Sequence, residues 1–248
     1  MKPRSRFAGT RVSTRVAAGA RAAIAVGTVI LASGCATGPN ANPADPFEPL
    51  NRQVYRFNNA VDDALLKPAA TVYVAVLPSP VRTGVNNFFG NISDVWSFVN
   101  SVAQLKLQDS AQTFMRVNVN TVFGLGGILD VATELGIDRH SEDFGQTLGR
   151  WGVPPGPYVM LPILGPSTLR DTVALPVDLR GDLVNGVSEV SVRNSMYAVR
   201  LIDIRANLLR VGQLLDDAAL DRYTFIRDAF LQRRRNDVHD GEVPDEEK

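Results

Sequence analysis

The chain has 248 residues, 26 basic and 26 acidic side chains, 45% hydrophobic residues and one cysteine. This length fits one large domain or two small ones, and a single cysteine excludes a disulfide within the chain. The basic residues form one short cluster, Arg233–Arg235, which Asp237 and Asp240 follow. We interpret that cluster as a solvated helix end, because nucleic-acid binding requires a concentrated basic face.

The first 34 residues have the composition of an export signal. They contain six basic and no acidic residues, and an apolar run extends from Ala22 to Ala32. About 11 apolar residues are too few to cross a bilayer but are typical of the hydrophobic region of a signal peptide. We therefore predict a signal peptide over residues 1–34. Without it, 20 basic residues remain against 26 acidic ones.

Cys35 lies where a lipid-attachment cysteine is expected. The small residues Ser33 and Gly34 precede it, although Ala32 replaces the usual leucine of a bacterial lipobox. A buried thiol or a nucleophile is the alternative, but neither explains a position after a basic and then an apolar region. We therefore predict acylation of Cys35. Acyl chains on this cysteine would hold the protein firmly at a membrane, because each buried methylene contributes about 0.8 kcal/mol to membrane binding. By analogy with enterobacterial sorting, Ala36 in place of Asp favours the outer membrane.

The mature chain divides into three parts. Residues 35–46 combine the lipidated N-terminus with small, polar, proline-interrupted residues and are predicted to form a tether. Residues 47–235 are predicted to form a helical domain. Residues 236–248 are charged and aperiodic, and we expect them to be disordered.

Apolar residues recur every three or four positions through most of the domain, which predicts helices. The first helix has the apolar face Leu50, Val54, Phe57, Val61 and Leu65. A second is predicted from Ser79 to a stop at Gly90, and a third follows it to Ala103. The apolar face of the second helix consists of Val81, Val85, Phe88 and Phe89.

Later helices are predicted from their capping residues. We expect Asp109 to cap a fourth helix that ends before the glycines of 124–127, Ser141 to cap a short helix and Ser167 to cap another. A long helical region covers residues 189–235. In a soluble domain the apolar stripes would pack inside the protein, whereas at a membrane some of them would contact acyl chains. The composition leaves both alternatives open.

The secondary structure of two apolar runs is not decided by their sequences. Residues 70–77 (ATVYVAVL) lie between helices, so a helix is as consistent as a strand. Residues 157–164 (PYVMLPIL) contain Pro162, which restricts them to an edge strand or no strand. No segment of the mature chain approaches the roughly 18 consecutive apolar residues of a membrane-spanning helix.

The sequence lacks motifs for catalysis or metal binding. The two histidines, His140 and His239, belong to no zinc-ligand pattern, and neither a nucleophile elbow nor a phosphate-binding loop is present. The carboxylate pairs at 62–63, 142–143 and 216–217 are interpreted as helix caps or solvated faces. We therefore expect a protein that is not an enzyme and that has no metal or cofactor.

Five segments together resemble the MlaA/VacJ lipoproteins of Gram-negative outer membranes, in matching order and over about residues 47–234. They are DPFEPLNRQVYRFNNAVD (45–62), FFGNISD (88–94), NTVFGLGGILDVA (120–132), EDFGQTLGRWGVPPGPYVMLPILGPSTLRD (142–171) and DRYTFIRDAFLQRR (221–234). The departures from the family pattern are the alanine in the lipobox and the C-terminal tail.

The resemblance implies a mainly α-helical, single ring-shaped domain of amphipathic helices with proline- and glycine-rich connections. Such a ring lies in the inner, periplasmic leaflet of the outer membrane around an amphipathic channel. Family members associate with trimeric porins and pass phospholipids misplaced in the outer leaflet to the soluble periplasmic carrier MlaC. The carrier delivers them to an inner-membrane ABC transporter, which maintains the lipid asymmetry of the outer membrane.

Such a channel should be passive. A phospholipid flips slowly because moving its charged headgroup through hydrocarbon costs on the order of several kcal/mol. A ring with polar groups inside lowers that barrier. Because the chain has no nucleotide-binding motif, we expect lipid disequilibrium and capture by the carrier to set the direction. A ring confined to the inner leaflet would admit lipids only from the other leaflet.

Two sets of site residues follow from the resemblance. Gly124, Gly126 and Gly127 are candidates for a hinge or hairpin at the channel, with a helix stop and tight turn as the alternative. Residues 144–171 are rich in apolar side chains yet contain five glycines and five prolines. Their candidates for the channel wall, for lipid contact or for the ring's own core are Trp151, Pro154, Pro155, Tyr158, Met160, Leu161 and Ile163.

Some of these residues have further expected roles. Trp151 and Tyr158 also suit the headgroup boundary of a bilayer. Caps and helix–helix hydrogen bonds are expected, ahead of channel lining, for four asparagines: Asn58, Asn59, Asn86 and Asn87.

Two functions of other classes remain as alternatives. A structural lipoprotein would brace porins or the envelope without conducting lipid. An envelope hydrolase would need a lone catalytic carboxylate, for which the candidates are Glu134, Glu142 and Asp143.

Overall fold

The computed structural model describes residues 42–242, apart from the side chains of residues 214–218. The predicted signal peptide, Cys35 and most of the tether lie outside the described residues, as do residues 243–248. The described chain is mainly α-helical, as expected. Its helices are α1 (Glu48–Val61), α2 (Lys67–Val76), α3 (Ser79–Ala103), α4 (Leu107–Val122), α5 (Val131–Glu134), α6 (Phe144–Arg150), α7 (Leu169–Gly181), α8 (Val190–Ala218) and α9 (Arg222–Val238).

A wide π-helical turn, Asp62–Leu66, joins α1 to α2 without a break. In this turn the amide of Lys67 donates to the carbonyl of Asp62, five residues earlier. Pro68 follows at once, and a proline inside a helix has no N–H to donate and clashes with the carbonyl four residues before it. The wider turn accommodates that proline. The run 70–77, left open between helix and strand, is helical to Val76.

The predicted helix stop at Gly90 is wrong, because α3 continues through it to Ala103. A Cβ atom at Gly90 would lie 2.6 Å from Nη2 of Arg139. The glycine is therefore explained by the close approach of this guanidinium and not by a helix end.

Three capping predictions are wrong by one to three residues. Helix α4 begins at Leu107, ahead of Asp109. Helix α6 is capped by Asp143 and not by Ser141, since Gln146 completes a reciprocal capping box with Asp143. Helix α7 is capped by Thr168 and not by its neighbour Ser167.

Residues 157–164 contribute to a two-stranded antiparallel hairpin. Strand β1 (Tyr158–Leu161) pairs with β2 (Gly165–Thr168), with Tyr158 opposite Thr168. Pro162 lies in the turn, where no ladder hydrogen bond is required of it. The free edge of β1 is bonded by Asn51 of α1, which donates to the Tyr158 carbonyl and accepts from the Met160 amide.

The long C-terminal region predicted over 189–235 is two helices, α8 and α9. Asp221 caps α9 by accepting from the amides of Tyr223 and Thr224. Helix α9 ends at Val238, so the first residues of the expected tail continue the helix. Among residues 42–242, no helix combines the length and the apolar composition needed to cross a membrane.

The apolar core cluster lies between the hairpin, α1 and α9. It consists of Tyr158, Met160 and Tyr223, all almost fully buried. Side chains of α1 and α9 pack against them, namely Val54, Tyr55, Phe230 and Leu231.

Candidate functional site

The interior of the described chain is more polar than apolar. Among the residues whose side chains the structure describes, 20 polar or charged residues and ten hydrophobic ones are buried, while 35 large hydrophobic residues are exposed. Soluble domains bury most large aliphatic side chains and rarely expose large contiguous apolar surfaces. Such a distribution is typical of a protein whose surface contacts a membrane or a protein partner.

Helix α4 shows this inversion within one element. It packs against α3 through its polar face, which consists of Ser110, Thr113, Arg116 and Asn120. Its apolar side chains point away from the protein, and the most exposed of them are Leu107, Phe114, Met115 and Val122.

Arg116 organises the polar interior between α3 and α4. Its Nη2 atom donates to both carboxylate oxygens of Asp130 at 2.9 Å, and Nη1 donates to Thr133 and to the Ile137 carbonyl. Although burial raises the pKa of Asp130, hydrogen bonds from Thr133 and Asn120 and the charge of Arg116 lower it to about 2. Asp130 is therefore ionised at neutral pH and fixes the end of the loop that follows α4.

Asp94 of α3 lies beside this pair. Its carboxylate accepts from Nε of Arg139 at 2.8 Å and lies 3.9 Å from Nε of Arg116. Burial raises the pKa of Asp94 in spite of both arginines. The two guanidinium groups thus provide the positive charge that a buried carboxylate needs.

The three predicted loop glycines meet distinct steric demands. A Cβ at Gly124 would lie 2.2 Å from the Leu129 carbonyl oxygen. Gly126 and Gly127 have φ values of +73° and +95°, which glycine adopts without strain. Asn87 donates to the Ile128 carbonyl and so ties the loop to α3. These contacts agree with the tight-turn alternative, and a hinge role stays a prediction.

A large groove lies between the N-terminal halves of α3 and α8, with Ile128 of the glycine loop at its edge. Its volume is about 890 Å³. The polar side chains in its lining belong to Ser191 and Ser195. The remaining lining includes Val81, Val85, Phe88, Phe89, Met196 and Val199.

The groove is shaped by one close contact and bordered by one charged residue. A Cβ at Gly84 would lie 2.9 Å from Cγ2 of Ile128, so the absence of a side chain lets the loop approach α3. The guanidinium of Arg200 lies 6.0 Å from the ring centre of Phe89 and donates to Ser93 and Asp182. An apolar groove with polar groups at its border matches an amphipathic ligand.

None of the seven predicted candidates from the 144–171 segment lines this groove. Tyr158 and Met160 are buried in the core cluster, so lipid contact and a headgroup position are wrong for them, and only the core alternative holds. Tyr158 and Met160 lie on the same, inward face of β1, and so both side chains are buried. Trp151, with its indole donating to the Ala103 carbonyl, is exposed, as is Ile163.

The other three candidates lie elsewhere on the surface. Leu161 is half-buried. Pro154 and Pro155 line a separate cavity of about 340 Å³ with Arg170 and Arg234. The sequence predicts the α3 residues of the groove as an apolar helix face but not as part of a site. Nothing in a single helix shows that two such faces leave a space between them.

Of the four asparagines, Asn86 makes a helix–helix hydrogen bond as expected, whereas Asn58 and Asn87 bind the hairpin turn and the glycine loop. Asn58 donates to the Leu161 carbonyl and accepts from the Ile163 amide, which fixes the hairpin turn on α1. Asn86 of α3 donates to Asp203 of α8, and Asp203 accepts a second bond from Tyr73 of α2. Asn59 lines a small polar cavity beside the π-helical turn.

Two of the three candidate catalytic carboxylates have structural partners, and the third, Glu134, is exposed on α5. Glu142 accepts from Lys106 and Gln104, and burial raises its pKa despite these bonds. Asp143 caps α6 and binds Arg234 through both oxygens. Asp109, Glu142 and Asp240 have carboxylate oxygens within 4.8 Å of one another, and Lys106 supplies a positive charge there by donating to two of them.

Comparisons with known proteins place the chain in a family. The family model described as MlaA lipoprotein matches residues 43–237. The Escherichia coli (strain K12) intermembrane phospholipid transport system lipoprotein MlaA is 33% identical over 237 residues, 91% of each chain. The Haemophilus influenzae protein of the same name is 32% identical over 229 residues, 87% of this chain and 89% of that one.

A solved structure agrees with these matches. It was reported in work on the structural basis for maintenance of bacterial outer membrane lipid asymmetry. It superposes with a TM-score of 0.65 at 33% identity and covers 78% of this chain and 98% of its own. The chain therefore belongs to the MlaA lipoprotein family, which is a lipid-transport family and not a family of enzymes.

Proposed function

We propose that the chain is an outer-membrane lipoprotein that removes mislocalised phospholipids from the outer leaflet. Its relatives from Escherichia coli and Haemophilus influenzae are named as lipoproteins of an intermembrane phospholipid transport system. Acylation of Cys35 anchors the domain to the periplasmic leaflet. The transported lipid passes to a soluble carrier of the MlaC type, and a trimeric porin is the membrane partner.

The groove between α3 and α8 is the proposed lipid path, and it is the observation that carries the proposal. Its volume of about 890 Å³ lies at the upper end of the range for small-molecule sites, roughly 300–1,000 Å³. The apolar lining suits acyl chains, while Ser191, Ser195 and the nearby Arg200 offer polar contacts for a headgroup. Transport along it is passive.

The inverted burial supports the membrane position. Apolar side chains cover much of the exterior, and polar side chains are buried in the contact between α3 and α4. Such a surface is unfavourable in water and favourable against acyl chains. A ring-shaped domain embedded in one leaflet would place this surface in hydrocarbon.

The first test measures surface-exposed phospholipid in the source bacterium by outer-leaflet lipid labelling. We expect phospholipid to accumulate in the outer leaflet when the gene is deleted and when Cys35→Ala is the only copy. An unchanged surface in the deletion strain would contradict lipid removal and favour the alternative, a lipoprotein that braces a porin or the envelope.

A second test addresses the groove itself. Val199→Trp and Ser195→Trp, which enlarge lining side chains of α8, should fill it and raise surface phospholipid to the level of the deletion strain, with the protein still present at normal abundance. The matched control is Val173→Trp, which enlarges an exposed side chain of α7 away from the groove. Normal lipid clearance by both groove variants would show that lipid takes another path.

A further inference from the structure

We propose that the cavity between residues 149–156, the start of α7 and α9 binds a phosphate group, either that of a phospholipid headgroup or free phosphate. Its volume is about 340 Å³, and we call it the arginine cavity because Arg170, Arg234 and Arg235 line it. Among the described residues, none lines both this cavity and the groove between α3 and α8. The inference therefore does not rest on the proposed lipid path.

The charge of the lining favours an anion. Three arginines line the arginine cavity, and none of its described lining residues is an aspartate or a glutamate. Two other polar cavities of the described chain differ in this respect, since Asp62 lines the one beside the π-helical turn and Asp221 lines the one beside Tyr223. The basic side chains of those two cavities thus share the lining with a carboxylate.

Two carboxylates outside the lining hold two of the arginines in place. Asp143 accepts from Nη1 and Nη2 of Arg234 at 2.6 Å each, and Asp171 accepts from Nε of the same guanidinium at 2.8 Å. Asp171 also accepts from Nε of Arg170 at 3.0 Å. Although burial raises the pKa of Asp171, the hydrogen bonds and charges of Arg234 and Arg170 lower it below its ordinary value. Asp171 is therefore ionised at neutral pH, and both guanidinium groups are fixed before a ligand binds.

Arg170 retains hydrogen-bonding capacity toward a ligand. The residue is 7% exposed, and its Nη1 atom has a long contact of 3.4 Å with the Val153 carbonyl. Its Nη2 atom makes no hydrogen bond to any residue that the structure describes. Because all nitrogens of a guanidinium are donors, an anion could accept from Nη1 and Nη2 together. This bidentate geometry is the one in which arginine binds phosphate most strongly.

Glycines make room for this arginine. A Cβ atom at Gly149 would lie 2.5 Å from Nη1 of Arg170, so the absence of a side chain lets the guanidinium lie against the end of α6. Gly152 and Gly156 also line the cavity, and their φ values are +90° and +66°. A residue with a Cβ is strained in this region of backbone conformation. Residues 149–156 thus border the cavity with little side-chain volume.

The ligand class follows from geometry and size. A phosphate group has several oxygens around one atom and can accept from guanidinium groups at different angles, whereas one bidentate arginine occupies both oxygens of a carboxylate. Val153, Leu231 and Val238 add apolar surface to the lining. A volume of about 340 Å³ lies near the lower end of the range for small-molecule sites, roughly 300–1,000 Å³. The cavity therefore suits a headgroup-sized phosphate ester without its acyl chains, or free phosphate.

The test measures binding of two probes to the full-length protein in dodecyl maltoside micelles by isothermal titration calorimetry. One probe is inorganic phosphate, and the other is glycerophosphoglycerol, which is the headgroup of phosphatidylglycerol without acyl chains. The buffer contains no phosphate, and sodium chloride keeps the ionic strength constant. Acetate is the control anion.

We expect both probes to bind at one saturable site and to compete with each other, and acetate to bind about tenfold more weakly or less. Tighter binding of glycerophosphoglycerol supports the proposal with a lipid headgroup as the source of the phosphate. Tighter binding of inorganic phosphate supports it with free phosphate as the source. Absence of saturable binding by both probes would overturn the proposal, and so would an equal affinity for acetate.

Variants at exposed positions locate the site. Arg235→Gln should weaken binding of both probes about tenfold, and Val153→Trp should abolish it by filling the cavity. The matched control is Arg233→Gln, at an exposed arginine of α9 that does not line the cavity, and it should bind like the parent. Melting temperatures without a probe check that each variant folds. Equal binding by all three variants would place the anion elsewhere and overturn the proposal.

The groove variants provide a second control. Val199→Trp and Ser195→Trp should bind both probes like the parent, because these positions lie outside the arginine cavity. This result is expected whether or not the same variants lose lipid clearance, so the two proposals fail separately. Loss of probe binding in the groove variants would make the groove the anion site and would overturn the assignment to the arginine cavity.

The acidic C-terminal residues are the competing occupant. Residues 243–248 follow Glu242, which is three positions after the lining residue His239, and they include Asp245, Glu246 and Glu247. The full-length triple variant Asp245→Asn/Glu246→Gln/Glu247→Gln tests them. Binding of the probes to this variant with the affinity of the parent supports an external phosphate as the ligand. Binding that is found only in the triple variant would mean that the chain's own carboxylates occupy the cavity, and would overturn the proposal.

Discussion

The cluster around Tyr158 and the contact between α3 and α4 stabilise the same chain by opposite means. In the first, Tyr158, Met160 and Tyr223 are removed from water by α1 and α9, as in any soluble protein. In the second, Arg116 and its polar neighbours are inside while the apolar side chains of α4 are outside. One region depends on burial of apolar area, and the other on hydrogen bonds and ion pairs formed away from water.

This difference indicates which region depends on the membrane. Burial of apolar area is favourable whenever water surrounds the protein. The α3–α4 contact buries polar groups, among which Thr113 Oγ1 and Arg116 Nε lack a hydrogen-bond partner in the described structure, and the exposed apolar face of α4 is unfavourable in water. We therefore expect the stability of the α3–α4 region to depend on a surrounding membrane or detergent more than that of the aromatic cluster does.

Arg116→Ala should give the largest loss of stability. The substitution leaves Asp130 without its bidentate partner and reduces the charge compensation of buried Asp94. Breaking a buried ion pair from one side costs about 3–5 kcal/mol. The measurement is the free energy of unfolding of the full-length protein in detergent micelles. Arg233→Ala, at an exposed arginine, is the control and should change it by less than about 0.5 kcal/mol.

Tyr158→Ala should cost somewhat less, about 3 kcal/mol, because a large buried ring is lost from the aromatic cluster. Its hydroxyl is buried without a hydrogen-bond partner in the described structure, so Tyr158→Phe should be neutral or stabilising. Chemical denaturation of both variants tests this. Equal losses for Phe and Ala would mean that the cluster, too, depends on polar contacts, and the contrast between the regions would disappear.

The Asp130 contact of the polar region should also respond to acid. The pKa of Asp130 is lowered in the folded state to about 2, from about 3.9 in an unfolded chain. A lowered pKa stabilises the fold above the unfolded value, so this contribution is present above about pH 4 and is lost as the pH falls towards about 2. Asp130→Asn should remove this pH dependence between pH 4 and 2. Parallel acid titrations followed by circular dichroism compare the two proteins, and identical slopes would contradict the assignment.

The sequence predicts the helices better than it predicts which side of each helix faces the protein. Residues of α4 such as Phe114 and Val122 repeat with helical spacing, and this periodicity is the same whether the partner is a protein core or lipid. The residues that distinguish the two cases lie on the opposite face of α4. Arg116 and Asn120 would be ordinary on an exposed surface, and they become informative only once their burial is known.

The wrong details have local physical causes. Gly90 resembles a helix end, but its role is to admit the guanidinium of Arg139, a residue 49 positions away in the chain. Tyr158 and Met160 alternate correctly for a strand with one buried face, yet the proline at 162 obscures the hairpin that buries them. The groove is even harder to predict from the sequence, because it exists only where α3 and α8 face each other.

Gly126→Ala should have the smallest effect on stability and the most informative one on function. A Cβ at this position meets no atom within 4 Å, so the expected loss is the backbone strain alone, about 1 kcal/mol. Gly124→Ala is the matched variant in the same loop, and it should disrupt the loop because its Cβ would overlap the Leu129 carbonyl.

The comparison of stability with lipid clearance decides what the loop does. If the loop moves when lipid enters the groove beside Ile128, Gly126→Ala should reduce clearance of surface phospholipid far more than its small loss of stability explains. If clearance by Gly126→Ala falls only in proportion to folded protein, the glycines serve a fixed turn. The polar network of Arg116 and Asp130 would then hold one rigid wall of the groove, because Asp130 closes the loop that carries Ile128.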